Sequence, residues 1–444
     1  LHKEYRRQRQ MCIRDSKIPY FDENVEISQY PDIPNNEFTR DEILSMLAKE
    51  MLDAAEQLPA SQPEVGRIHK YIALAYAAKI KLYQAYQQDE ITHAVTSINK
   101  ELLREVVSLC DQVTASNRYG LLDDFQGLDL VTNENGKESV FAIQYSMNDG
   151  TESAGRINWS NLLNSPGGGS PYGGDGFFLP SQDLINAYQT DANGLPDFNY
   201  QSKSDYSWAV LNNGVYTLQN TTPNVDPRLD FVVGRPTITW KTYPDKPCEG
   251  WVRDKDTYGY NCAKRFWVSP ESSDMFNGWP WGASQLNWQI IRYADILLWK
   301  AEALIELNEG NGLETARDLI NQIRNRARNS AYVKDFNDHS KYAANYLVNP
   351  YPADVWNQDY ARQALRWETR LEKALEGERF FDLVRWGIVE TTMNNYITAE
   401  SDNRIYYANA HFTGGKDEYY PVPNNQYGFS GGKYVQNPGY APFN

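Results

Sequence analysis

Residues 376–387 read "EGERFFDLVRWG". On a helix, Glu376 and Arg379, Arg379 and Asp382, and Asp382 and Arg385 stand three residues apart, so charges of alternating sign share one face. Leu375, Phe381, Leu383, Val384 and Trp386 supply the apolar side. Gly377 permits close approach of another backbone, and Gly387 can end the helix in a left-handed conformation. Arg379, Asp382 and Arg385 are read as a structural ion network that clamps the helix. With arginines on both sides, the Asp382 carboxylate is expected to stay ionised and engaged, which argues against catalysis there.

Helical signal extends outward from this stretch. Residues 289–308 and 313–328 form apolar stripes joined by the turn "EGNG", and a third helix is expected at about 358–387. In the first half, residues 39–58 open with Thr39 and Glu42 in capping-box spacing and stop at Pro59. Residues 68–87 are rich in alanine, and 98–115 repeat the amphipathic pattern. Short turns between these helices predict antiparallel hairpins of the helical-repeat kind. The middle differs, because Gly, Pro, Asn, Asp and aromatic residues dominate it. There "SVFAIQYS" (139–146) reads as a strand, "LPSQDLINAYQ" (179–189) as a short helix capped by Ser181, and "SPGGGSPYGGDG" (165–176) as a flexible loop. That loop lacks the Gly-Lys-Ser/Thr ending of a phosphate cradle. The expected fold is mostly α, with helical parts at 39–116 and 289–390, a loop-rich lobe with a few short strands at 120–288, and an extended C-terminal coil at 391–444.

The chain has 444 residues and a formal charge of −15, from 43 Lys plus Arg against 58 Asp plus Glu. That balance repels polyphosphate and argues against a nucleic-acid partner. The 31 Tyr, 12 Trp and 16 Phe are too many for a polar chain to hide, so many rings are expected near the surface. The four cysteines lack metal-site spacing. Cys248 and Cys262 flank one loop and would pair only if their Cα atoms came to about 5.5 Å. No apolar run approaches the roughly 18–20 residues that span a bilayer. The basic, unpatterned "YRRQRQMCIRDS" (5–16) resembles translated adapter sequence, so residues 1–17 are expected to be foreign to the chain and the native start missing. Exposed apolar surface is then expected on the helix at 39–58 or beside it.

Four segments in order carry a specific resemblance: "NWQIIRYADILLWKAEALIE", "ARDLINQIRNRAR", "LRWETRLEKALEGERFFDLVRWG", and "YYPVPNNQ" with "VQNPGY". Together they resemble the C-terminal signatures of the SusD/RagB family of outer-membrane nutrient-binding lipoproteins. Upstream, "GRIHKYIALAYAAKIKLYQ" after "LPAS", "LPSQDLINAYQT" and "VDPRLDFVV" are similar to the family's earlier segments, so the likeness runs from about 20 to 444. It departs at the front, where the family's signal peptide and lipidated cysteine have no counterpart; Cys12 follows no apolar run. The resemblance implies tetratricopeptide-like hairpins buttressing a ligand-binding lobe at the cell surface. It also implies a lipid anchor as the membrane attachment, and a SusC-like TonB-dependent transporter as partner, with the protein as its lid. Ligands in the family are mostly oligosaccharides, sometimes peptides.

The residues point the same way. Eight of the twelve tryptophans fall in the loop-rich middle. Sugar recognition uses such rings, because pyranose C–H faces stack on an indole while amides and charged groups bond the hydroxyls. In "MFNGWPWGASQ" (275–285), Trp279 and Trp281 flank a proline, with Asn277 and Gln285 nearby; Trp159 and Tyr172 form a second tier of ligand candidates. No catalytic motif is present and no cofactor is expected. His69 and His93 read as helix-surface residues. "DANG" and "NGLPDFN" (191–199) carry carboxylates but lack the periodicity of a Ca2+ loop. Three other readings stay open at this point: peptide uptake, a glycoside hydrolase with two carboxylates about 5–10 Å apart, and a helical scaffold for protein binding.

Overall fold

The computed structural model describes residues 17–443 apart from 23, 152–154, 160–166, 168, 172, 214, 220–222, 242–249, 270 and 279–281. The fold is mostly α. Helix α1 (Arg40–Gln57) starts as its sequence predicts: Thr39 Oγ1 accepts from Glu42 N at 3.2 Å and the Glu42 carboxylate accepts from Thr39 N at 2.8 Å. In α2 (Lys70–Ala85), Ala73, Ala75, Ala77, Ala78 and Ala85 are all buried, so α1 and α3 (Lys100–Ala115) pack closely on either side. A β1–β2 hairpin (Tyr86–Gln88, Val95–Ile98) joins α2 to α3. Helix α3 then packs directly on a helix from the second half, Tyr293–Leu307. Residues 116–292 are thus inserted into a continuous helical stack. That insertion holds β3 (Ser139–Ile143), α4 (Gln182–Ala187, with Ser181 Oγ capping Leu184 N), α5 (Arg228–Val232), α6 (Lys255–Tyr258) and β4 (Trp288–Arg292). After it come α7 (Tyr293–Leu307), α8 (Gly312–Asn329), α9 (Gln358–Glu372), α10 (Arg379–Arg385), α11 (Val389–Glu400) and α12 (Asn424–Phe429). None of the large apolar side chains of α1 is exposed; the exposed ones nearest to it in sequence are Ile27, Val65 and Ile68.

Three departures from the sequence reading have physical causes. The helix expected from 289 begins only at Tyr293, because Trp288–Arg292 pairs antiparallel with β3 and Arg292 N donates to Asp295 Oδ2 at 2.7 Å to start α7. The helix expected over 358–387 breaks between α9 and α10, where Leu375 (φ 67°) and Gly377 (φ 82°) turn left-handed. The tail from 391 is not wholly extended, since α11 continues to Glu400 and α12 follows.

The break at 375–377 turns Glu376 inward. Arg292 Nη2 donates to Glu376 Oε1 (2.8 Å), and its Nη1 donates to Glu138 Oε1 (2.7 Å) and Glu372 Oε1 (3.0 Å). Arg326 also bonds Glu138 and Glu372, while Arg228 bonds Asp226, Glu368 and Glu372. Burial alone would raise the Glu376 carboxyl, but Arg292, Lys373 and Arg265 hold it well below the usual carboxylate range. This buried network ties β3, β4, α5, α8 and α9 together, and so joins the insertion to the helical stack.

The predicted clamp is only partly as read. Arg385 donates to Asp382 Oδ1 at 2.9 Å, but its main partner is Glu302 of α7, which also accepts from Tyr86 Oη (2.6 Å) and Trp386 Nε1 (2.9 Å). Arg379 stands outside it, with no ion pair among the described residues; it lies beside Arg370, and burial together with that neighbour lowers its pKa. Asp382 keeps one arginine instead of two, and burial pushes its carboxyl up despite Arg385.

The C-terminal tail returns across the front of the chain. Val435 N donates to Asn35 Oδ1 at 2.9 Å and Asn35 Nδ2 to Val435 O at 3.0 Å, with Asn35 buried. Asn35→Ala is expected to cost about 2 kcal/mol, roughly one per bond, read as a lowered urea midpoint. His69 and His93 are buried, not on the helix surface. His69 is held by Tyr119 Oη at 3.2 Å, and His93 packs edge-on against Tyr419 of the tail at 4.3 Å. Burial lowers His93 to about 4 from 6.5, outweighing Asp89 on one side, while Lys17 adds to the lowering. The unfolded chain therefore takes up this proton first as pH falls. The His93 contribution is complete above about pH 6.5 and is lost as pH approaches 4. His93→Gln is expected to flatten that part of the melting-temperature profile.

Candidate functional site

The segment 275–285 is a hairpin. Phe276 N donates to Ala283 O at 2.9 Å and Gln285 N to Asp274 O at 3.0 Å, so the described residues Asn277, Gly278 and Gly282 lie beyond the last paired positions. On its other side Asn158 N donates to Ser284 O at 2.8 Å. That pairing sets Trp159, 41% exposed, next to the hairpin. Asn277 is exposed at the tip, after Met275 has anchored the strand in the core. Two candidates from separate parts of the sequence, Trp159 and Asn277, are thus brought to one structure by backbone bonds. Trp279, Trp281 and Tyr172 lie outside the described residues, as does Cys248, the proposed partner of the buried Cys262.

Gln285 does not present a free amide. Its Nε2 donates to Asp274 Oδ1 at 2.6 Å and its Oε1 accepts from Met147 N at 3.3 Å. Both ends hold the hairpin base, so its place is in support of the tip. Beneath it, Glu134 accepts from Asn287 N at 2.5 Å, and Asn287 Oδ1 accepts from Tyr145 N at 2.7 Å. Burial pushes the Glu134 carboxyl up to about 7, reinforced by Asp274 and opposed by the Asn287 bond.

The described residues of the glycine-rich loop lie close against another segment. A Cβ on Gly169 would lie 1.4 Å from Gly250 O, and one on Gly167 (φ 128°) 2.5 Å from Trp251 O. These glycines let the loop lie directly on another backbone. Arg253 Nη2 fastens it further through Gly174 O and Asp175 Oδ1, both at 3.1 Å. Just beyond, Phe177 is 74% exposed, a ring that the sequence reading passed over. Its signal was the aromatic pair that closes a glycine run.

Four of the six described tryptophans of the lobe are not at the surface. Trp208, Trp240, Trp251 and Trp267 are buried; the last three pack with Phe266, Met275 and Leu286 in one core, and Trp208 Nε1 donates to Pro236 O at 2.9 Å. Loops with few ladders need large side chains to build a core, and indoles bury the most area per residue. Exposure, not position in the lobe, separates Trp159 from these anchors. The carboxylates of "DANG" and "NGLPDFN" are used locally: Asp191 accepts from Asn193 N and Leu195 N, and Asp197 from Asn199 N and Lys203. Among the described residues no group of three His, Cys, Asp or Glu could hold a metal.

A family model described as the SusD family matches residues 137–440. The chain belongs to the SusD family. Solved structures of similar fold include a SusD superfamily protein from Bacteroides vulgatus, with 21% identity and TM-score 0.65 over 96% of this chain and 74% of that one. A laminarin binding SusD-like protein shares 19% identity, TM-score 0.55, over 95% and 74%. Surface glycan-binding protein A from Bacteroides thetaiotaomicron in complex with laminarihexaose shares 18%, TM-score 0.59, over 95% and 73%. No curated protein matches. Within this SusD-family chain, the two best-formed cavities among the described residues each hold only about 10 Å³, one of them beside Glu134 and Arg292. That is room for about one water in each of these two.

Proposed function

We propose that this SusD-family chain captures oligosaccharides at the surface of the outer membrane and passes them to a SusC-like TonB-dependent transporter, without chemistry of its own. The observation that carries the reading is the 275–285 hairpin, which exposes Asn277 and whose Ser284 pairs with Asn158, next to exposed Trp159. Trp279 and Trp281 are assigned to stack on sugar rings with Trp159. Asn277 is assigned to bond the hydroxyls, Tyr172 to a secondary contact, and Gln285 to support. The solved laminarin- and laminarihexaose-binding proteins of similar fold favour a glycan as ligand. Membrane attachment in this reading is through a lipid anchor of the kind the family carries. No described helix is long and apolar enough to cross a membrane.

Glu134, the carboxyl that burial raises near the hairpin, gives a hydrolase no support, because it accepts from Asn287 N beside a water-sized cavity. Electrophoresis of the chain through gels containing soluble polysaccharides, with a reducing-end assay in parallel, tests the reading. Retardation without new reducing ends is expected. Release of reducing sugar would overturn the non-catalytic assignment, and retardation by peptides alone would overturn the glycan assignment.

A further inference from the structure

Helix α6 and the turn after α11 come together although nearly 150 residues separate them. The Tyr258 and Tyr406 rings lie 6.0 Å apart between centroids, inclined at 45°, and are 43% and 49% exposed. Tyr406 is backed by Tyr407 at 4.5 Å, and Tyr407 Oη is fixed by Tyr396 Oη at 3.1 Å. Between the two segments lies the Arg404 guanidinium. A Cβ on Gly259 would come within 2.6 Å of Arg404 Nη2, so the absence of a side chain there is what admits the guanidinium. Among the described residues its guanidinium donates from Nη1 to Asn403 O at 2.8 Å and makes no ion pair. One turn earlier, Glu400 is buried and its Oε2 has no hydrogen-bond partner, although Oε1 accepts from Asp183 N.

We propose that Tyr258, Tyr406 and Arg404 form a second sugar station, which takes two adjacent pyranose units of an uncharged oligosaccharide. The rings offer faces for the C–H sides of the sugars, and their separation suits neighbouring units of a glycosidic chain. The remaining guanidinium donors meet vicinal hydroxyls, and the Asn403 amide, already held by Asp205 at 3.3 Å, lines the same edge. Acidic neighbours choose the class of sugar. Asp205 and Glu400 stand close to Arg404 and offset its charge, so the station offers a uronate or sulfated unit no net positive field over a neutral hexose. The inference rests on the glycan-binding reading but uses residues outside the 275–285 hairpin. Two stations on one chain would raise avidity for a polymer above that of either alone.

The test uses the whole chain in affinity gels containing laminarin, amylopectin, galactomannan or arabinoxylan, all neutral. On the polysaccharide that retards the parent, Tyr258→Ala and Tyr406→Ala are each expected to weaken the apparent Kd about tenfold. The double Tyr→Phe variant is expected to keep most of the affinity, and melting temperatures are expected to match the parent. If the parent is retarded and the Tyr→Ala pair binds equally well, the second station is refuted while the hairpin reading stands. If none of the four retards the parent, both fall. A loss matched by a comparable fall in melting temperature assigns the two rings to folding, which also overturns the proposal.

Discussion

Arg292→Met is expected to destabilise the chain by about 3–5 kcal/mol, the usual cost of removing one partner from a buried charge network. Arg292 is 1% exposed and makes bonds to Glu138, Glu372 and Glu376, all buried side chains. Without it, burial again raises the carboxyls of Glu372 and Glu376, which their cations now hold low. The sign follows from those lowered values: the network contributes fully above the unfolded carboxylate pKa and is lost as pH falls through the folded values. Urea unfolding at neutral pH should show a midpoint far below the parent, with the difference narrowing in acid. An unchanged midpoint would remove the network from the centre of the fold.

Trp240→Ala should be of similar size, about 3–5 kcal/mol, because the Trp240 side chain is wholly buried against Trp251 and Cys262. Gly234 leaves the space it fills, since a Cβ there would lie 2.4 Å from Trp240 Cδ1. The loss should appear in the melting temperature, with binding of the remaining folded fraction preserved. A stable Trp240→Ala variant that failed to bind would instead place this ring in the ligand site.

The helices were legible because their signals are local. Thr39 with Glu42, the alanine run of α2 and the stripe of α8 each sit within a few turns of one another, and the capping box at Thr39 formed as spaced. Long-range partners were not legible. Glu376 at three residues from Arg379 reads as a helix pair, yet beside the local Lys373 its partners are Arg292 and Arg265, 84 and 111 residues away. The same distance problem hid Glu302 from Arg385 and β3 from β4. In the lobe, composition revealed that rings matter without revealing which. Trp240, Trp251 and Trp267 resemble Trp159 in sequence context, and only packing shows that three are anchors and one is exposed. Gln285 was legible as a polar neighbour of the tip but not as a residue whose amide the hairpin itself consumes.

The central claim is that the hairpin tip and Trp159 capture sugar. Calorimetric titration of the parent and of a Trp159→Ala, Trp279→Ala, Trp281→Ala variant with the oligosaccharide of the retarding polysaccharide tests it most directly. The account predicts saturable binding by the parent, and loss of at least tenfold in affinity in the variant at unchanged melting temperature. Equal affinity in the two proteins, or no binding by the parent, would contradict it.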